Sequence, residues 1–145
     1  MDLKIIQHGT KEYDQMVQLR LDVLRTPLGL TFTKEQLEKE KDDILINAYV
    51  NNELVGCCVL TPQGSSTIQL RQMAVKTGSQ SSGAGRKILE FAEQVALQKG
   101  YSLLMMHARN VALGFYQKCG YTVKGEEFME VTIPHRYMEK VLRPA

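Results

Sequence analysis

Apolar and polar positions along the chain change period several times, and each change marks an element. Residues 3–7 (LKIIQ) read as a short strand, with a turn at the HGTKE that follows. Over 13–25, Met16, Val17, Leu19, Leu21, Val23 and Leu24 form a rough helical stripe, which predicts a helix ended by Pro27 and Gly29. Thr33, followed by Glu35 and Gln36, is placed to cap a second, charged helix running to about Lys41. The pattern then shortens. ILINAYV (44–50) and ELVGCCVL (53–60) are apolar runs on either side of Asn51-Asn52, and asparagine tolerates the left-handed conformations that a tight hairpin turn needs. Pro62 and Gly64 close the second run, and SSTIQLRQMAV (65–75) supplies a third strand.

That third strand is irregular. Ile68 and Leu70 alternate onto one face, but the next apolar pair, Met73 and Val75, is one residue out of phase. A β-bulge leaves such a slip in a sequence, and so does a strand covered on both faces. From Gly85 the spacing of Leu89, Ala92, Val95, Ala96 and Lys99 is helical, with Gly100 a natural C-cap. YSLLMMHA (101–108) reads as a buried strand, 111–118 as a helix stopped by Gly120, and YTVK (121–124) as a strand. A turn at Pro134 and a last strand over 136–142 complete the chain. A meander followed by strand–helix–strand predicts an α/β protein with a mixed sheet.

Composition narrows the class. The chain of 145 residues predicts one domain, 1–145, and its 43% hydrophobic and 23% charged residues are ordinary for a globular protein. A net charge of +2 with scattered basic residues leaves no electrostatic footprint for nucleic acid. Cys57, Cys58 and Cys119 lack CxxC spacing, which fits a reducing cytoplasm rather than a disulfide framework. No apolar run has the length of a signal peptide or a membrane span, so the expected location is cytoplasmic, with no membrane partner. The three histidines and three cysteines are dispersed without metal-ligand spacing, so no metal is expected. No Gly-x-Ser-x-Gly elbow occurs.

The most informative stretch is GSQSSGAGRK (78–87), a glycine-rich loop ahead of a long helical pattern. It fails as a P-loop: Gly78 and Gly83 have the spacing, but Ala84 and Gly85 stand where Lys and Ser/Thr must be. It fails as a dinucleotide fingerprint because Ile88 occupies the third glycine position. Gln80-Ser81-Ser82-Gly83-Ala84-Gly85 instead resembles the Gln/Arg-x-x-Gly-x-Gly/Ala motif of the GNAT superfamily of N-acyltransferases. The resemblance implies a mixed, mostly antiparallel sheet with a bulged strand and a splayed, V-shaped acyl-CoA cleft, flanked by helices. In that fold the loop's backbone amides hold the coenzyme A pyrophosphate. The physics agrees, since the first amides of a helix lack internal partners, the helix dipole favours an anion there, and glycine admits close approach.

On the same resemblance, Gln80, Ser81, Ser82, Gly83, Ala84, Gly85 and Arg86 bind the coenzyme. The strand edge at Met73 and Val75 pairs with its pantetheine amides. The Met73 backbone N–H polarises the thioester carbonyl, a contribution commonly worth about 3 kcal/mol. MHARNVALGFYQKCGY resembles the family's strand–helix–Gly-aromatic segment, which makes Tyr116 the tyrosine beside the coenzyme's sulfur and a proton donor to the departing thiolate. Arg109 stands where many relatives carry Asn, with Asn110 next to it, and both are assigned to the coenzyme side.

The tail GEEFMEVTIPHRYMEK is similar to that of the ElaA- and YjcF-like bacterial acetyltransferases, and QLRLDVLR fits the same branch. TPLGLTF replaces that branch's Val-Glu-Gln continuation, in a loop that would border the acceptor pocket. Some relatives place a basic glutamate four residues before the position of Met73, where this chain has Gln69. Candidates for the base are then His107, His135, Glu127 and Glu130. His135 is preferred because it follows Pro134 in the tail pattern and imidazole suits proton transfer near neutrality. Glu126, Glu127 and Glu130 could instead bind a cationic acceptor. The expected activity is transfer of an acetyl group from acetyl-CoA to a primary amine of a small molecule or peptide, by direct attack in a ternary complex. The alternative is an acyl-CoA sensor without turnover. The resemblance also allows a homodimer.

Overall fold

The computed structural model describes residues 1–80 and 82–143. Its strands are β1 (Asp2–Ile6), β2 (Ile44–Val50), β3 (Glu53–Pro62), β4 (Thr67–Val75), β5 (Leu103–Arg109), β6 (Thr122–Glu130) and β7 (Ile133–Val141). Its α-helices are α1 (Lys11–Arg20), α2 (Lys34–Glu38), α3 (Ala84–Gln98) and α4 (Leu113–Lys118). The strands form one mixed sheet in the order β1-β2-β3-β4-β5-β7-β6. β4 pairs with β5 in parallel, and β1–β2, β2–β3, β5–β7 and β6–β7 are antiparallel. Among the described residues no helix is long and apolar enough to cross a membrane. The chain packs as two compact units, Met1–Thr61 with Gln72–Ala92, and Pro62–Arg71 with Glu93–Ala145.

In the first unit, Thr10 caps α1 two residues ahead of the expected start, its side chain accepting from the Tyr13 N–H. The stripe over 13–25 is not one α-helix: Leu21–Arg25 is a π-helical turn and Thr26–Leu28 a 3-10 turn, ended by Gly29 at φ 70°. Thr33 and Gln36 make the reciprocal capping box that opens α2, and Lys39–Asp42 continues as a 3-10 turn. The β2–β3 hairpin turns at Asn51 and Asn52, both left-handed at φ 50° and 65°, as the sequence predicts. Ile6, Tyr13, Met16, Leu19, Leu45, Cys57, Val59 and Ala74 form a buried cluster.

A buried ion pair ties the helical segment together. Arg20 donates to both carboxylate oxygens of Glu40 at 2.8 Å, and the Tyr13 hydroxyl donates to Glu40 Oε1 at 2.7 Å. Burial works against the Arg20 charge, but Glu40 more than offsets it. Phe32, from the TPLGLTF loop, lies against the Arg20 and Arg25 guanidiniums at 4.6 and 4.4 Å.

The β4 irregularity is present, though not in the expected phase. Gln72 takes φ 55°, a left-handed residue inside a strand, which is the backbone signature of a bulge. Ala74 is the buried residue beyond it, while Met73 and Val75 are half-buried. Beside it, α3 and β4 pack closely on Gly56 of β3. A Cβ there would lie 2.4 Å from Ile88 Cδ1 of α3 and 3.1 Å from the Ala74 carbonyl oxygen.

In the second unit, parallel pairing of β4 with β5 runs from Thr67↔Leu103 to Leu70↔Met106. α3 ends at Gln98, and Gly100, left-handed at φ 94°, closes the turn after it as the sequence predicts. β6 is longer than the predicted 121–124, reaching Glu130 through a register shift between Lys124 and Phe128, near Gly125 at φ 82°. Pro134 is not the turn. It sits second in β7 opposite Met129, and the β5 ladder begins only at the next residue, Arg109↔His135. Its missing N–H therefore breaks no β5 bond. The turn is made by Val131 and Thr132, both left-handed at φ 45° and 68°.

Candidate active site

The loop after β4 is a series of tight turns leading into a helix start. Lys76 N–H donates to the Val55 carbonyl at 2.7 Å, Ser79 N–H to Lys76 at 2.9 Å and Ser82 N–H to Ser79 at 3.2 Å. Gln80 turns its side chain back, Nε2 donating to the Val75 carbonyl at 3.2 Å, and the Ser82 hydroxyl donates to the Ser79 carbonyl at 2.5 Å. Both serine and glutamine side chains are thus engaged with the loop's own backbone. Ser81 lies outside the described residues.

Gly78 and Gly83 are left-handed at φ 95° and 83°, and a Cβ on either would meet nothing within 4 Å. They face open space that a ligand can approach. α3 begins at Ala84, which is fully buried, with Gly85 and Arg86 in its first turn; the Gly83 carbonyl accepts from Lys87 N–H at 3.2 Å. The first-turn amides have no acceptor within their own helix, and the helix dipole adds partial positive charge there. This is the local chemistry that a pyrophosphate requires. Met73, Val75, Gln80 and residues 82–86 of the expected coenzyme set thus fall in the first unit.

The second unit carries the others. Arg109 ends β5, half-buried, with burial lowering its guanidinium pKa. Asn110 opens a 3-10 turn into α4 and donates to Glu127. Tyr116 of α4 is 7% exposed, edge-on to Phe115 and to Tyr121, with ring centroids 5.1 and 6.0 Å away. Tyr121 is anchored in turn, its hydroxyl donating to Glu93 Oε2 at 2.8 Å, and Lys140 holds Glu93 at 3.2 Å and the Cys119 carbonyl at 3.0 Å. Burial first, and then the Glu93 charge, raises the Tyr121 pKa well above the ordinary phenol value. Tyr116 is therefore set in a rigid aromatic and ionic frame.

The base candidates divide. Gln69 is no carboxylate and is engaged, its Oε1 accepting from Gln63 Nε2 at 2.8 Å. His107, Glu130 and His135 meet: His107 Nδ1 donates to Glu130 Oε1 at 2.9 Å, and His135 Nε2 lies 3.8 Å from Glu130 Oε2. His135 Nδ1 donates to the Ile133 carbonyl at 2.9 Å. Phe128, a residue whose role was invisible in the sequence, lies edge-on to His107 at 5.1 Å and stacks on His135 at 6.0 Å. Glu127 is held apart from this cluster by Asn110.

The domain family described as acetyltransferase (GNAT) domain matches residues 26–142. The chain is 32% identical over 106 residues to YyaT of Bacillus subtilis, covering 73% of this chain and 70% of YyaT. It is 36% identical over 73 residues to the Bacillus subtilis N-acetyltransferase YjcF, covering 50% of this chain and 52%, about half, of that relative. The fold is similar to that of a GNAT family acetyltransferase of Elizabethkingia anophelis with acetyl-CoA bound, with a TM-score of 0.75 and 24% identity over 97% of each chain. The bulged strand, the glycine loop and the helix start that follows it therefore have a family to which they belong: the chain is a member of the GNAT family of N-acetyltransferases.

Proposed function

We propose that the protein transfers an acetyl group from acetyl-CoA to a primary amine of a small molecule or peptide, by direct attack within a ternary complex. The observation that carries this reading is the passage from the bulged β4 through the Gly78 and Gly83 turns into the α3 N-terminus. Acetyl-CoA supplies an activated thioester carbonyl. The amides of residues 80–86 hold its pyrophosphate, with Arg86 contributing charge. Met73 and Val75 offer main-chain groups to the pantetheine arm, and the Met73 N–H stabilises charge on the carbonyl oxygen. Arg109 and Asn110 serve the coenzyme side. Tyr116 gives a proton to the thiolate. His135, with the residues it meets, belongs to the proton-accepting side. A homodimer is compatible with these roles.

One observation favours a second reading, an acyl-CoA sensor without turnover: Gln69 stands on β4 without a carboxylate and is already engaged by Gln63. A panel of polyamines, aminoglycosides, arylalkylamines and short peptides, followed by free-thiol release from acetyl-CoA, separates the two. The enzyme releases thiol with at least one amine and yields the acetylated product by mass spectrometry. Acetyl-CoA binding with no thiol release from any amine supports the sensor.

A further inference from the structure

β5, β7 and β6 present one face on which His107, Arg109, Tyr137, His135, Phe128 and Glu130 share register, since residues directly opposite in an antiparallel ladder point the same way. His107 and Arg109 lie at the carboxyl end of β5. Within this group the three proton-carrying side chains differ in access. His107 is 35% exposed and Glu130 45%, whereas His135 is 4% exposed with its Nδ1 committed to a carbonyl. His135 is too enclosed to meet an amine itself. His107 donates through Nδ1 to Glu130, and in the neutral ring that fixes Nε2 as the nitrogen bearing the lone pair.

Resting on the acetyl-transfer reading, we propose that the base is His107, with Glu130 its positioning residue. The acceptor ammonium passes one proton to His107 Nε2, which becomes an imidazolium, and the neutral amine keeps the electron pair with which it attacks the thioester carbonyl. Glu130 orients the ring through Nδ1–H and balances the new charge, as a carboxylate does for any imidazole base. Phe128, edge-on to one imidazole and stacked on the other, holds the two rings at a fixed separation. The charged and titratable groups facing this cluster are Arg109 opposite His135, and Tyr137 opposite His107 on one side and Lys124 on the other.

The turn after Glu130 supports the assignment. Val131 and Thr132 are β-branched residues held left-handed, a conformation that glycine or asparagine adopts at far less cost. Strain of this kind persists where the surrounding structure requires a geometry, and here it delivers Glu130 and Ile133 to the two histidines.

Two measurements on the full chain test the proposal. In steady-state kinetics with acetyl-CoA and the fastest amine of the panel, Glu130→Ala lowers kcat about tenfold and His107→Ala about 100-fold, with the KM for acetyl-CoA unchanged. Exogenous imidazole restores activity to His107→Ala and not to a Tyr116→Phe variant. In 15N NMR of the imidazoles, without any acceptor, wild-type His107 carries its proton on Nδ1, and Glu130→Ala shifts it toward Nε2. Unchanged kcat in Glu130→Ala, or a His107 tautomer that ignores that substitution, overturns the proposal. If no amine is acetylated, the acetyl-transfer reading fails and takes the base assignment with it. The tautomer measurement then still reports whether Glu130 sets the ring.

Discussion

Tyr116 and Glu40 illustrate two kinds of buried polar residue. Tyr116 lies against Phe115 and Tyr121, and Tyr121 is tied to Glu93 and through it to Lys140, so removing the Tyr116 hydroxyl leaves that frame in place. Tyr116→Phe is expected to lower kcat by about 10- to 100-fold with acetyl-CoA affinity unchanged, as steady-state kinetics and calorimetry will report. Glu40 neutralises Arg20 where both side chains are at most 3% exposed. Glu40→Ala strands that guanidinium and is expected to cost about 3–5 kcal/mol in urea unfolding; a loss under about 1 kcal/mol would mean water reaches Arg20. Of these residues, Tyr116 was legible as an aromatic side chain of a short helix, which the structure buries. The Arg20–Glu40 pair was not, because its partners are brought together by a π-helical turn that a helical stripe does not announce.

At the level of elements, the two hairpins make the contrast. Asn51-Asn52 and Val131-Thr132 adopt the same left-handed pair of conformations. The first was readable because asparagine favours that geometry, and the second was displaced in expectation to Pro134 because β-branched residues oppose it. Replacing Val131 and Thr132 with Asn and Gly is expected to raise stability by about 1–2 kcal/mol, read as a higher urea midpoint. No gain would show that the turn is relaxed. Gly56 gives the opposite prediction. Its hydrogen allows Ile88 of α3 and the Ala74 carbonyl to approach β3, so Gly56→Ala is expected to cost about 1–3 kcal/mol by overpacking. The bulge itself was anticipated from a phase slip between Leu70 and Met73, yet the residue that makes it is the polar Gln72. Hydrophobic periodicity records which side chains are buried, not which backbone carries a positive φ.

Across the whole molecule, several groups are held neutral by burial. Cys57 is pushed up from 9.0 to about 12, and Cys58, Tyr13 and Tyr121 are raised as well. In each case the unfolded chain ionises first as pH rises. The stability these groups contribute is therefore fully present below the unfolded thiol value near 9.0 and is lost as pH climbs toward the folded value near 12 for Cys57. Urea unfolding should show lower stability at pH 11 than at pH 8, and equal stability would contradict it. The family was legible because residues 80–85 are a contiguous string that matches its loop motif. The pairing of His107 with Glu130 was not, because the two lie on different strands and meet only once β7 sets β5 and β6 side by side.

The proposed hold of the loop into α3 on acetyl-CoA is tested most directly by calorimetric titration of the full chain with acetyl-CoA. Saturable binding is predicted for the wild type, weakened at least about tenfold, or roughly 1.4 kcal/mol, by Gly83→Val at the left-handed turn. No heat of binding at millimolar acetyl-CoA, or full affinity in Gly83→Val, would contradict it.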